Sequence, residues 1–170
     1  YIGAFSVLAL NHYDVVNLCN AADSATTIVV SEENPAFTTV DGLLYNKECT
    51  EFVLCPRGRT GEVVLLNSVE KICPEAFASC RNVTCIRIPE SVKEIGRWAF
   101  AECKQLKNLE LPSGITEVSA FALSDCNSIT ELAIPEGVAY INKNAFERMS
   151  ALKELSLPKS LSCIEDFAFA

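Results

Sequence analysis

The chain has 170 residues, of which 49% are hydrophobic and 21% charged, and this composition excludes a disordered chain because it supplies enough apolar side chains for a core. Its 14 Lys and Arg against 22 Asp and Glu give a formal net charge of −8, which argues against nucleic acid and anionic membranes as partners. The longest apolar stretch, residues 1–10, has about half of the ~20 residues that a membrane span needs, so no membrane insertion is predicted.

Residues 1–27 fit the later sequence pattern poorly, and residues 1–33 are predicted to form irregular N-terminal rungs. Within them, residues 28–30 read Ile-Val-Val, which predicts the strand of a rung that precedes the regular ones. The only histidine, His12, lies shortly before Cys19. Because no third group or oxyanion element can be named beside these two residues, the sequence favours an ordinary histidine over a Cys/His catalytic dyad.

Residues 34–62 are predicted to form a separate unit, with a β-hairpin near residues 40–58. Two apolar segments, residues 42–45 and 52–54, flank a polar turn at residues 46–50, as a β-hairpin requires. The loop at residues 57–61 contains two glycines but lacks the lysine and serine of a phosphate-binding loop, so it is predicted to belong to the hairpin unit.

The remaining chain, residues 63–170, repeats with a fixed period of 23 residues. Two apolar columns show the repeat: Ile72, Ile95, Val118, Ile141 and Ile164; then Phe77, Phe100, Leu123, Phe146 and Phe169. Alanine precedes every member of the second column, and a proline recurs at Pro89, Pro112, Pro135 and Pro158. Each rung has an apolar row that it cannot cover alone, so stacked rungs make one continuous core, which is a solenoid.

Each rung is predicted to contain one short strand and one short helical or coiled segment, which makes the array an α/β solenoid. Residues 86–88 and 109–111 alternate apolar, polar and apolar side chains, the pattern of a strand with one buried face. The proline that follows has no amide hydrogen to donate to a ladder and therefore ends each strand at the same place. Residues 99–103, Ala-Phe-Ala-Glu-Cys, are predicted to return along the far side.

The repeated pattern Ile-x-x-x-x-Phe-x-x-Cys-x-x-Leu-x-x-Leu-x-Leu-Pro resembles the BspA-like subclass of leucine-rich repeats. Residues 63–170 match this pattern directly, and residues 34–62 look like the variant hairpin unit of the same family. The resemblance implies a single leucine-rich repeat domain over residues 1–170. Because the array stops at residues 167–170, where the other rungs continue to Cys and Leu, we expect a fragment of a longer array.

The repeat sorts the nine cysteines into two groups. Cys80, Cys103 and Cys126 share a column with Met149 and are predicted to be buried as small apolar side chains. No Cys-x-x-Cys pair occurs, so neither a metal site nor a cofactor is predicted. The cysteines outside that column are Cys19, Cys49, Cys55, Cys73, Cys85 and Cys163, of which the last three replace polar residues of other rungs and are predicted to be exposed.

The exposed face of the strands is the candidate binding site, because neighbouring rungs place variable side chains there in a regular grid. Glu131 and Glu154 are predicted to stack one rung apart, and the pair is more typical of a solvated acidic ridge than of paired-acid catalysis. No catalytic residue is therefore predicted. The candidate binding residues on this face are Arg87, Lys107, Asn108, Glu110, Glu131, Lys153 and Glu154.

A second candidate contact is aromatic. Trp98 and Phe121 occupy the column before the alanines, and exposed aromatic side chains often dominate binding energy at interfaces. The sequence favours packing of these two rings between rungs over an exposed contact.

Members of the family that the chain resembles are bacterial and protist surface proteins, some of which adhere to host matrix proteins or to other cells. The resemblance therefore implies a non-enzymatic adhesion or protein-interaction module of a secreted or cell-surface protein, with a host matrix or cell-surface protein as the ligand. Two alternatives remain: a structural spacer, or a targeting appendage of an enzyme domain elsewhere in the parent chain. The fold alone does not identify a ligand.

Overall fold

The computed structural model describes residues 23–170, and the Cys/His hypothesis for His12 and Cys19 lies outside them. The described chain begins with a three-stranded antiparallel unit made of β1 (Phe37–Val40), β2 (Leu43–Asn46) and β3 (Glu51–Leu54). The expected hairpin is thus confirmed as the β2 and β3 pair. Its turn is held by Asn46, whose Oδ1 accepts the main-chain N–H groups of Thr50 and Glu51 at 2.9 and 2.8 Å.

The strand expected at residues 28–30 is wrong. These residues have no strand conformation, although the Ile28 amide donates to the Gly42 carbonyl oxygen at 2.9 Å. Both neighbours of β2 are already taken by β1 and β3, so the segment packs across the hairpin without joining a ladder.

Every rung contributes strand residues at two places, so the prediction of one strand per rung is wrong. The first column, which we call the strand face, consists of β4 (Thr60–Val64), β6 (Asn82–Arg87), β8 (Asn108–Leu109), β10 (Glu131–Ala133) and β12 (Glu154–Ser156). The second column consists of β5 (Lys71–Ile72), β7 (Glu94–Ile95), β9 (Glu117–Val118), β11 (Tyr140–Ile141) and β13 (Cys163–Ile164). The rung pairs are parallel, and β3 joins the hairpin unit to β5.

No helix occurs among residues 23–170, so the α/β label and the helical alternative for residues 99–103 are both wrong and the fold is a β-solenoid. The cause lies in the backbone. Trp98 and Glu102 have φ angles of 54° and 58°, which no α-helix accommodates. The amides of Trp98, Phe100 and Glu102 donate to carbonyl oxygens of the next rung, at Ala120, Ala122 and Ser124, so this turn column holds rungs together instead of forming a helical turn.

The core consists of the apolar columns that the repeat predicts. Phe52, Phe77 and Phe100 are fully buried and stack in sequence, with ring centroids 4.7 and 5.5 Å apart. Phe146 and Phe169 stack at 5.1 Å. Leu123 stands between these two aromatic groups and is also fully buried. The inner column is therefore buried from Phe52 to Phe146, and its aromatic stacking is interrupted at Leu123.

The buried cysteine column is confirmed. The thiols of Cys103 and Cys126 donate to the carbonyl oxygens of Phe77 and Phe100 at 3.2 and 3.1 Å, so each thiol gives a hydrogen bond to the rung before it. All eight cysteines of the described part are free thiols. Of the three that were expected to be exposed, Cys163 is exposed and Cys85 is half-buried, but Cys73 is only 6% exposed because the hairpin unit covers it.

Candidate interaction face

The strand face presents its predicted residues to solvent in adjacent rungs. Parallel pairing places Cys85 beside Asn108, and Glu131 beside Glu154, in agreement with the expected stack of carboxylates. Between the polar positions, Ile86 and Leu132 are buried. The face is therefore a polar grid on an apolar floor, and the seven predicted residues are all exposed: Arg87, Lys107, Asn108, Glu110, Glu131, Lys153 and Glu154.

A shallow depression of about 720 Å³ lies on this face. Five of the seven predicted residues line it: Lys107, Asn108, Glu110, Glu131 and Glu154. One lysine against three glutamates leaves its lining acidic.

Arg87 and Lys153 lie outside the depression lining. The Arg87 guanidinium is paired with the carboxylate of Glu62 on the preceding rung. Cys85 lies beside the same carboxylate, with its Sγ 3.7 Å from Glu62 Oε1. The ion pair of Arg87 and Glu62 thus neutralises the strand face at β4 and β6, and the uncompensated negative charge lies at the depression, in the rungs that follow.

The depression coincides with a break in the strand-face ladder, and the second ladder breaks between the same two rungs; the sequence reasoning missed both breaks. The strand-face ladder stops between β8 and β10, and the second ladder stops between β7 and β9. We call this interface between two rungs the open join, and the interfaces on either side of it closed joins. The second column keeps a side-chain substitute there, since Ser119 Oγ donates to the Ile95 carbonyl oxygen at 2.6 Å. The one sequence signal at this place is Leu123 in the phenylalanine column.

Trp98 and Phe121 face each other across the open join. Their ring centroids are 5.2 Å apart with 28° between the planes, and the Arg97 guanidinium lies 4.6 Å from the Trp98 centroid. Trp98 is 36% exposed and Phe121 is half-buried. The packing between rungs that the sequence favours is thus present, with one edge of the tryptophan accessible to solvent.

No cluster of His, Cys, Asp or Glu side chains between residues 23 and 170 could hold a metal ion. Burial raises the pKa of Cys73 and of Cys126 to about 12 and also raises the pKa of Cys103, so these thiols stay protonated and unreactive at neutral pH. Hydrogen bonds from Arg81 hold the pKa of the Glu102 carboxyl below its usual value, which describes a surface ion pair.

Comparison with known proteins places the repeats in a family. The family model described as "BspA type Leucine rich repeat region" matches residues 60–170 in six copies. No curated protein matches the chain at a significant level. In the described part of the sequence, no helix is long and apolar enough to cross a bilayer.

Solved structures share the fold. A leucine-rich cell surface protein from Faecalibacterium prausnitzii is 30% identical, with a TM-score of 0.75 over 79% of this chain and 36% of its own. The pneumococcal vaccine antigen PcpA is 21% identical, with a TM-score of 0.72 over 82% of this chain and 38% of its own. A leucine-rich repeat protein from Eubacterium ventriosum is 20% identical, with a TM-score of 0.68 over 87% of this chain and 53% of its own. The chain thus spans between about a third and about half of the length of these proteins.

Proposed function

The chain belongs to the BspA-type leucine-rich repeat family, and from this premise we propose that it is a non-enzymatic protein-interaction module of a secreted or cell-surface protein, which binds its ligand through the strand face. The observation that carries the proposal is the acidic depression on that face. A solenoid offers its strand side chains in a rigid, regular array, which suits recognition of an extended protein surface. The description of the Faecalibacterium relative as a cell surface protein supports the location.

The proposed ligand is a host matrix or cell-surface protein that presents positive charge to the face. Electrostatic complementarity sets specificity and association rate more than it sets final affinity, so the acidic lining selects the partner and the apolar floor contributes burial. The chain's net charge of −8 has the same sign as the depression and supports attraction of a basic partner over distance.

Biolayer interferometry of the protein against fibronectin, fibrinogen, mucin and glycans tests this function. The informative variant changes Glu110, Glu131 and Glu154 to Lys, which reverses the charge of the depression. The matched control changes three exposed glutamates outside the depression to Lys and gives the same change in net charge: Glu33, Glu48 and Glu70.

Saturable binding that only the depression variant loses is the expected result. Binding that both variants lose equally would contradict use of the strand face. Absence of any binding would favour the structural spacer or the targeting appendage, and the full-length gene would then show whether an enzyme domain is attached.

A further inference from the structure

At the open join, main-chain groups are unpaired at positions that are hydrogen-bonded between several other rungs. Between β4 and β6, the Leu65 amide donates to the Arg87 carbonyl oxygen at 3.1 Å, and between β10 and β12 the Ile134 amide donates to the Ser156 carbonyl oxygen at 2.9 Å. Between β6 and β8, the equivalent amide of Ile88 makes no such bond in the described chain, although those strands are paired. The equivalent donor at the open join is Leu111, and within residues 23–170 no main-chain hydrogen bond links it to Ala133.

The other end of the same strands shows the same loss. The Lys107 amide donates to the Thr84 carbonyl oxygen at 3.0 Å, and the Lys153 amide donates to the Thr130 carbonyl oxygen at 2.8 Å. At the open join, which lies between these two, no main-chain hydrogen bond of the described chain links the Thr130 amide to the Lys107 carbonyl oxygen. The edges of β8 and β10 that face each other are therefore unpaired along their length.

These unpaired edges lie in the acidic depression. Leu109, Leu111, Leu132 and Ala133 line it together with the charged side chains described above. An edge strand with unpaired N–H and C=O groups is a template for another extended chain, and many peptide-binding domains use such edges. A depression that joins a free strand edge to surplus carboxylates is complementary to an extended chain that carries cations.

We propose that the open join binds an extended, basic peptide segment of the partner. The main chain of that segment supplies hydrogen-bond partners to the facing edges of β8 and β10, and its Lys or Arg side chains pair with Glu110, Glu131 and Glu154. This inference rests on the proposed function and narrows it, since it names the part of the strand face that is used and the chemistry that it recognises.

The turn column keeps the join intact while its strand side is open. Trp98 and Phe121 stack across the join, and the amides of Phe100 and Glu102 keep their bonds to Ala122 and Ser124 at 2.9 and 2.8 Å. Opening is thus confined to the strand columns, and a peptide gains main-chain contacts there without disrupting the rung interface. The closed joins offer no such edge, because their own ladder occupies it.

The test uses a short fluorescent peptide of alternating Arg and Val, measured by anisotropy against the whole chain. Two further peptides separate the contributions: the same sequence with alternate main-chain nitrogens methylated, and an alternating Glu-Val peptide. The protein variants are Gln substitutions at Glu110, Glu131 and Glu154, with Gln substitutions at Glu33, Glu48 and Glu70 as the matched control.

Loss of charge-assisted pairs at the depression is expected to weaken Arg-Val binding by about tenfold or more, while the matched control keeps its affinity. The methylated peptide should bind weakly, because it retains the charge and lacks the main-chain donors. The Glu-Val peptide should not bind. Equal weakening in both variants, or unchanged affinity of the methylated peptide, would overturn the proposal.

Failure of this inference is distinguishable from failure of the proposed function. A protein ligand that needs the strand face but is not displaced by the Arg-Val peptide would disprove recognition of a basic segment and leave the interaction function standing. Displacement of that ligand by the Arg-Val peptide, and not by the Glu-Val peptide, would support both.

Discussion

The open join and the closed joins are built from the same repeat and differ in where they are held. The closed join before it has paired strands in both columns and, beneath them, the stacked rings of Phe77 and Phe100. At the open join Phe100 meets Leu123, which has no ring to stack, and the aromatic contact lies outside the core between Trp98 and Phe121. Leu123 also borders the closed join on its other side, where it faces Phe146 and both strand columns are paired, so the absence of a ring does not by itself open a join.

Both rings of the outer pair stand on left-handed backbone. Trp98 has a φ angle of 54° and Phe121 one of 58°, a region that costs a bulky residue about 1–2 kcal/mol. Their amides donate to Ala120 and Lys143 of the next rung, both at 3.2 Å. Glu75, which has no ring, occupies the equivalent position of an earlier rung and has a φ angle of 60°. The backbone strain therefore belongs to the repeated turn, and the aromatic stack is a separate contact that occurs at the open join.

The largest expected effect concerns the core beside the open join. Phe100 is fully buried although its rung borders the open join, so Phe100→Ala should lower the free energy of unfolding by about 3–5 kcal/mol. Glu110→Ala, on the exposed face of the same rung, should change it by no more than about 0.5 kcal/mol. Urea unfolding measures both. Equal effects of the two substitutions would mean that the columns are wrongly assigned.

The second prediction concerns the inside of the open join. Cys126 donates across it to Phe100, and burial raises its pKa from 9.0 to about 12. A raised thiol pKa favours the folded state fully below pH 9, and that contribution is lost as pH rises from 9 to 12. Stability should therefore fall above pH 9 by about 1.4 kcal/mol per pH unit for this thiol.

Cys126→Ala tests this prediction, because it should make the alkaline fall in stability shallower by that amount. Cys163→Ala is the control, since Cys163 is exposed and its removal should leave the slope unchanged. An unchanged slope in Cys126→Ala would mean that water reaches the interior of the open join.

The third prediction compares main-chain protection directly. The amides of Ile134 and Asn142 are bonded at closed joins, to Ser156 and Val118, both at 2.9 Å. Their equivalents at the open join, Leu111 and Ser119, should exchange with deuterium at least about tenfold faster, which corresponds to about 1.4 kcal/mol of local opening.

The turn column is the internal reference for this experiment. Phe100 and Glu102 belong to the rung of Leu111 and are bonded across the open join, so their amides should stay protected. Fast exchange at Phe100 would indicate that the whole rung unfolds, and equal protection of Leu111 and Ile134 would show that the join is closed in solution.

Most of the fold can be predicted from the sequence, because stacked rungs place equivalent side chains at a constant spacing of 23 residues. The spacing places Phe77, Phe100 and Phe146 in one buried column and the cysteines in another, and both are found. The sequence predicts a short helical or coiled segment for the turn column, and the helical alternative is wrong. Its left-handed residues are not glycines, so no residue type marks the positive φ angles.

The candidate site was only partly accessible to sequence reasoning. Alternation identified which strand residues face solvent, and five of them line the depression. The break in the ladders depends on how two rungs approach each other in three dimensions, and a hydrophobic pattern treats Leu123 as equivalent to phenylalanine. Leu123 departs from the repeat only in the size of its side chain, and a search for apolar columns does not detect such a change.

The smallest expected effect tests that signal. Leu123→Phe should extend the ring stack from Phe100 to Phe146 and draw the rungs together, and a favourable repair of this kind is typically worth about 1 kcal/mol. The amides of Leu111 and Ser119 should then become protected, and the affinity for the Arg-Val peptide should fall although no residue of the depression is changed.

Leu106→Met is a suitable control, because it alters a fully buried side chain of similar volume without adding a ring. If the Leu123→Phe variant is stable and its Leu111 amide still exchanges quickly with deuterium, Leu123 does not cause the open join. Because closure and peptide binding would compete for the same main-chain edges of β8 and β10, protection at Leu111 and loss of affinity must appear together if the join is the binding site.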